Sequence, residues 1–111
     1  MRRAPHCSSA GTWSGPGGKL NPGENHDEAL ERELMEEIGV DISVYPREIL
    51  FRKYFYFLEK NIEIQFYKIH CGTKPEIILN DEHDMYDWVT PEELLSMNFT
   101  EDFDTIVKEI Y

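Results

Sequence analysis

The sequence predicts one small domain of mixed α/β layers, residues 1–111, and three observations predict it. The patterning runs loop, helix, hairpin, strand and short helices, an order that points to helices layered on a sheet. At 111 residues the chain holds one core and leaves no room for two. Hydrophobic residues at 41% and aromatics at 13% are enough to pack that core and too many for a disordered tail. No internal repeat, low-complexity tract or linker interrupts the order.

The first element is a loop. Cys7 through Gly23 is rich in Gly, Pro and Ser, including Pro16-Gly17-Gly18 and Pro22-Gly23, which disfavours both helix and long strand. Asn25-x-x-Glu28 then has the form of a capping box, Ala29, Leu30, Leu34 and Ile38 follow at helical spacing, and Gly39 supplies the stop. This predicts a helix over 26–38. Glu48 to Leu58 and Ile62 to Cys71 are strand-like, the second by alternation of Ile62, Ile64 and Phe66 against Glu63, Gln65 and Tyr67. With Glu59-Lys60-Asn61 between them they predict a β-hairpin. Its tyrosines, Tyr54, Tyr56 and Tyr67, are expected to pack. Met85 to Val89 predicts a short strand with Trp88 in the core, and Thr90-Pro91-Glu92-Glu93 opens a short helix with an N-cap, an N1 proline and two acids. Thr100 caps a last helix with Phe103, Ile106, Val107 and Ile110 as its stripe.

Charge narrows the partners. Eleven Lys and Arg against 22 Asp and Glu give a net charge of −11, which repels phosphate backbones and anionic lipid. Nucleic-acid polymers and membranes are therefore not expected partners. No apolar run approaches the ~20 residues of a spanning helix, and Met1-Arg2-Arg3 does not lead into the apolar stretch of a signal peptide, so a cytoplasmic location is expected. Cys7 and Cys71 each follow a histidine, but neither pair has zinc-ligand spacing, and both are read as reduced thiols.

Chemistry concentrates on the first helix. With Glu33 at zero on a wheel of ~100° per residue, Glu37 falls at ~40° and Glu36 at ~300°, while Leu30, Leu34 and Ile38 occupy ~60° to 140°. The three acids thus border the buried stripe instead of opposing it. Like charges at these spacings cost roughly 0.2–0.5 kcal/mol per pair, with no lysine in place to relieve them, and a divalent cation would do so.

The spacing around the helix is Gly18, five residues, Glu24, seven residues, Arg32-Glu33-Leu34, one residue, Glu36-Glu37, one residue, Gly39-Val40. This resembles the Nudix box at every defined position, a match with chance odds on the order of 10⁻⁸ per starting position. The resemblance implies an α/β/α sandwich with a mixed central sheet and hydrolysis of a pyrophosphate bond in a nucleoside diphosphate linked to another moiety, a small-molecule nucleotide. It implies Mg²⁺, with Mn²⁺ as the alternative, held by the hard oxygens of Glu33, Glu36 and Glu37 with backbone approach at Gly18. Arg32, one residue from Glu33 but not facing it, is expected to pair with Glu24 and brace the loop.

Gly11-Thr12-Trp13 ahead of Pro16-Gly17-Gly18-Lys19, and Glu82-His83-x-x-Tyr86-x-Trp88-Val89, extend the likeness to nearly the whole chain. Glu82 is expected to add a fourth carboxylate as metal ligand, and Glu82 or a helix acid to act as general base. His83 reads either as a surface histidine or as a contact to the leaving phosphate. Lys19 and Arg3 are expected to meet the substrate's anion. Asp102, near the start of the last helix, is expected to read a purine edge. An acceptor-only carboxylate favours guanine's N–H groups, which points to a purine nucleoside triphosphate, oxidised guanine included. Dinucleoside polyphosphates are the alternative substrates. The family carries about twenty residues of strand before the segment matching Arg2-Arg3, so the resemblance implies a sheet without its usual first strand. A homodimer covering the bare edge follows as an expectation, and a non-catalytic nucleotide- or partner-binding module stands as the reading of another class.

Overall fold

The computed structural model describes residues 1–7, 10–57, 59–97 and 108, with backbone only at 55 and 57. The elements are β1 (Arg2–Arg3), α1 (His26–Ile38), a 3₁₀ turn (Ile42–Val44), β2 (Arg47–Phe57), β3 (Lys60–Ile69), β4 (His83–Met85) and α2 (Pro91–Leu95). The α/β character and α1 agree with the sequence reading. The last predicted helix, from Thr100, lies outside the described residues.

Helix α1 forms where its caps dictate. Asn25 accepts from the Glu28 N–H at 2.8 Å and the Glu28 side chain accepts back from Asn25 N, closing the capping box. At the far end Gly39 takes φ 68°, a conformation that carries almost no penalty only in glycine, and donates to Met35. Leu34 and Ile38 are buried with Val40 and Ile42, and Leu30, Tyr45, Ile69, Ile77 and Leu79 pack against them. The predicted stripe is thus the core. Two carbonyls at the helix end, which have no partner within the helix, are satisfied from a later segment: Ile78 N–H donates to Ile38 at 2.8 Å and Asn80 N–H to Glu37 at 3.2 Å.

The strands pair as two antiparallel couples, β1 with β4 and β2 with β3. Short as it is, β1 has neighbours on both sides. Arg2 opposes Met85 and Arg3 opposes His83 on one side, while Arg3 N–H donates to Thr12, Gly11 N–H to Arg3, and Arg2 bridges Trp13 on the other. The hairpin strands have the predicted lengths but start one and two residues earlier, and their connection is tighter than predicted: Phe57 pairs with Lys60, and Glu59 turns at φ 60°.

Three expectations change. The strand predicted at Met85–Val89 is found at His83–Met85, because β1 offers only two residues to pair with and the chain departs once Arg2 has met Met85. Trp88 is consequently not core: it is 46% exposed. Tyr54 and Tyr56 do not pack either, since they share the outward face of β2 and remain largely exposed. Among the described residues no helix is long and apolar enough to cross a membrane.

A Cβ at Gly39 would meet the Ile78 side chain at 3.1 Å in addition to the left-handed backbone penalty. Gly39→Ala should therefore lower unfolding stability by about 1–2 kcal/mol, read from urea midpoints; an unchanged midpoint would show that this helix end relaxes freely.

Candidate active site

The site forms where the glycine loop lies across α1. Gly17 N–H donates to Glu37 Oε1 at 2.9 Å, and a Cβ on Gly18 would overlap the Glu33 carboxyl. Only glycine lets the loop backbone approach that closely to the two carboxylates. Glu37, on the border of the apolar stripe, is 7% exposed. Burial pushes its carboxyl up to about 7; the Gly17 N–H opposes this, and the neighbouring Glu33 and Glu82 reinforce it.

Arg32 does more than brace the loop. Its Nε and Nη2 donate to the two oxygens of Glu24 at 2.7 and 3.0 Å, and Nη2 also donates to the Lys19 carbonyl. Its Nη1 reaches Glu33 at 2.9 Å and Glu36 at 3.3 Å. The expectation that it cannot face Glu33 is corrected: the long side chain folds back along the helix, and an arginine relieves the like charges that no lysine does. Its hydrogen bonds hold the Glu24 carboxyl below the ordinary carboxylate range, with the Asn21 N–H contributing.

The 80–84 segment brings in Glu82. Its carbonyl accepts from Ala4 N–H at 2.8 Å, its N–H donates to the Asn80 side chain, and Arg3 stands 3.8 Å from its carboxylate. Arg3 thus faces Glu82, whose charge is felt at Glu37. Lys19 is exposed at the rim. His83 is not the surface histidine that was one expectation: it is 5% exposed with Nδ1 against Asn80, and burial, then Arg3, holds its imidazole below its ordinary value. Asp102 lies outside the described residues.

Sequence reasoning missed Asn80, which ties Glu37's carbonyl, Glu82 and His83 together. The Asn80-Asp81 pair was the available signal, as a turn former whose side chain binds backbone two residues on. It also missed a cavity of about 210 Å³ lined by Trp13, Pro16, Ile38 and Trp88 among others.

Among the described residues no three acidic, histidine or cysteine side chains converge on one point as they stand. Glu33 and Glu36 instead share Arg32. The donors nevertheless fit a hard divalent cation: they are carboxylate oxygens, one of them lying so close against the Gly18 backbone that a Cβ there would displace it.

A NUDIX domain model matches residues 1–110. The chain belongs to the Nudix family. Its Nudix relatives include the nucleoside triphosphatase NudI of Salmonella typhimurium, 33% identical over 76% of this chain. The chain spans 65% of that relative's length. Among solved structures, a MutT protein from Methanosarcina mazei is 30% identical with a TM-score of 0.75, covering 99% of this chain and 79% of that one. A protein from Deinococcus radiodurans is 25% identical with a TM-score of 0.78, covering 99% and 72%. The Nudix fold, with its sheets and helices, is therefore shared.

Glu37 binds its proton more tightly folded than unfolded, so in chelator it contributes stability that is complete below about pH 4.5 and is lost as pH rises through about 7. Wild-type protein in chelator should melt lower at pH 8 than at pH 5, and Glu37→Gln should remove much of that decline. A decline of equal size in both proteins would place the titrating group elsewhere.

Proposed function

We propose that this chain is a divalent-cation-dependent pyrophosphohydrolase that cleaves a nucleoside triphosphate of the purine class to nucleoside monophosphate and pyrophosphate. The observation that carries the reading is the meeting of the glycine loop with Glu33 and Glu37, held by Arg32 on Glu24. The nucleoside triphosphatase name of the Salmonella relative supports the substrate class.

Glu33, Glu36, Glu37, Glu82 and the backbone at Gly18 would hold Mg²⁺ or Mn²⁺, which supplies neutralisation of the charge that develops on the phosphate oxygens. The chain's own residues do the rest. Lys19 and Arg3 receive the polyphosphate in a protein that otherwise repels it. Arg32 keeps the acids apart and in place. A water oxygen attacks one phosphorus, the bridging P–O bond breaks, and the water's proton passes to a carboxylate, Glu82 or a helix acid.

A homodimer accompanies this reading. Among the described residues β2 and β3 each have one edge with no strand beside it, and Ile49, Leu50, Tyr54 and Tyr56 are exposed on the hairpin. Sedimentation at micromolar concentration should show a dimer; a monomer with a cooperative melt would remove it.

Turnover is tested with a panel of nucleoside triphosphates and dinucleotides, following phosphate and pyrophosphate release. Hydrolysis should require Mg²⁺, stop in chelator and fall by orders of magnitude in Glu36→Gln, whose exposed side chain carries no packing role. Wild-type turnover in that variant or in chelator would overturn the mechanism, and absence of turnover across the panel would leave a binding module.

A further inference from the structure

The apolar cavity of about 210 Å³ opens one residue from Glu37 along two chain segments. Pro16, whose neighbour Gly17 donates to that carboxylate, lines it, and so does Ile38, the next residue on α1. A cavity of about 150 Å³ with an apolar lining accepts one benzene ring. The larger volume therefore suits a single heterocyclic base and is too small for a whole nucleotide. Both tryptophans of the chain, Trp13 and Trp88, stand in its wall. Lys74 Nζ lies 5.8 Å from the Trp88 ring centroid, an attraction that holds the ring in place. In this largely apolar lining one residue bears a carboxylate, the exposed Asp87, and the Met1 ammonium that feels its charge stands in the same wall.

We propose that Asp87 is the specificity-determining residue of a nucleobase site in this cavity, selecting a base whose edge presents two adjacent N–H donors. The inference rests on the nucleoside triphosphate reading above. An ionised carboxylate only accepts, and its two oxygens match two parallel N–H bonds. Guanine offers that edge in N1–H and its exocyclic amine. Adenine places a ring-nitrogen acceptor beside its amine, and uracil sets one N–H between two carbonyls. Either base leaves an acceptor facing an acceptor, the arrangement a polar site rejects most strongly. A base seated between the tryptophans leaves its sugar and phosphates to run past Pro16 and Gly17 toward the acids. The specificity role expected of Asp102 thereby passes to a residue that lines a cavity.

Because both tryptophans line the cavity, intrinsic fluorescence reports on it directly, without metal or turnover. Full-length protein in chelator is titrated with guanosine, adenosine and uridine. The kcat/KM values for the corresponding triphosphates are then measured with Mg²⁺, for wild type, Asp87→Asn and Asp87→Ala. Guanosine should quench emission at roughly tenfold lower concentration than adenosine, and both variants should bring the two nucleosides together, with a matching fall in the triphosphate ratio. Turnover with no base preference, or with a preference that both variants keep, overturns the role of Asp87 and spares the hydrolase. Guanosine-selective quenching that the variants abolish, in a protein that hydrolyses no triphosphate, sustains Asp87 and overturns the hydrolase.

Discussion

The Arg32 guanidinium donates to both oxygens of Glu24 on one side and to Glu33 and Glu36 on the other, and the site's geometry depends on that sharing. Without the cation, Glu33, Glu36 and Glu37 would crowd like charges into little more than one helical turn. Without the fork, the loop from Lys19 to Glu24 would lose its tie to α1. A lysine could supply the charge, but a point ammonium cannot grip one carboxylate bidentately while reaching two others. The planar fork does both, and its pairing raises Arg32's own proton affinity.

That tie matters because the acids sit on a seam between core and solvent. Leu34 and Ile38 are anchored inside, and Glu37 shares their burial while Glu36 remains in water. One helix therefore presents carboxylates of unlike character from adjacent positions. The buried member favours its proton. The sequence of the helix sets this difference, since one residue's rotation of about 100° separates the two environments.

Much of this was legible beforehand because it is local. The capping box at Asn25 and Glu28, the stop at Gly39 and the Thr90-Pro91 helix start are all set by residues within a few turns of one another, whereas the Glu24–Arg32 brace came only with the resemblance to the Nudix box. What was not legible depends on chain segments far apart. The length of β4 is decided by β1, some eighty positions away, and that same pairing leaves Trp88 beside a cavity instead of in the core. His83 stands opposite Arg3 across the strand pair with its ring against Asn80, and a histidine's place in the local pattern carries no trace of that. Arg32's reach to Glu33 was missed for another reason: a wheel places Cα atoms, and a long side chain can leave its own sector.

The bonds from Ile78 and Asn80 to the carbonyls that end α1 have a further meaning for how this loop can vary. From Ile78 to Glu82 the chain is measured out residue by residue, with its amides counted off against the helix, so that inserting or deleting one position there would carry the Glu82 carboxylate away from the acids. Before Ile77 no such count applies. The turn around Gly72 and Thr73 can lengthen or shorten without the site registering it, and the loop thus divides into a part that tolerates changes of length and a part that acts as a ruler.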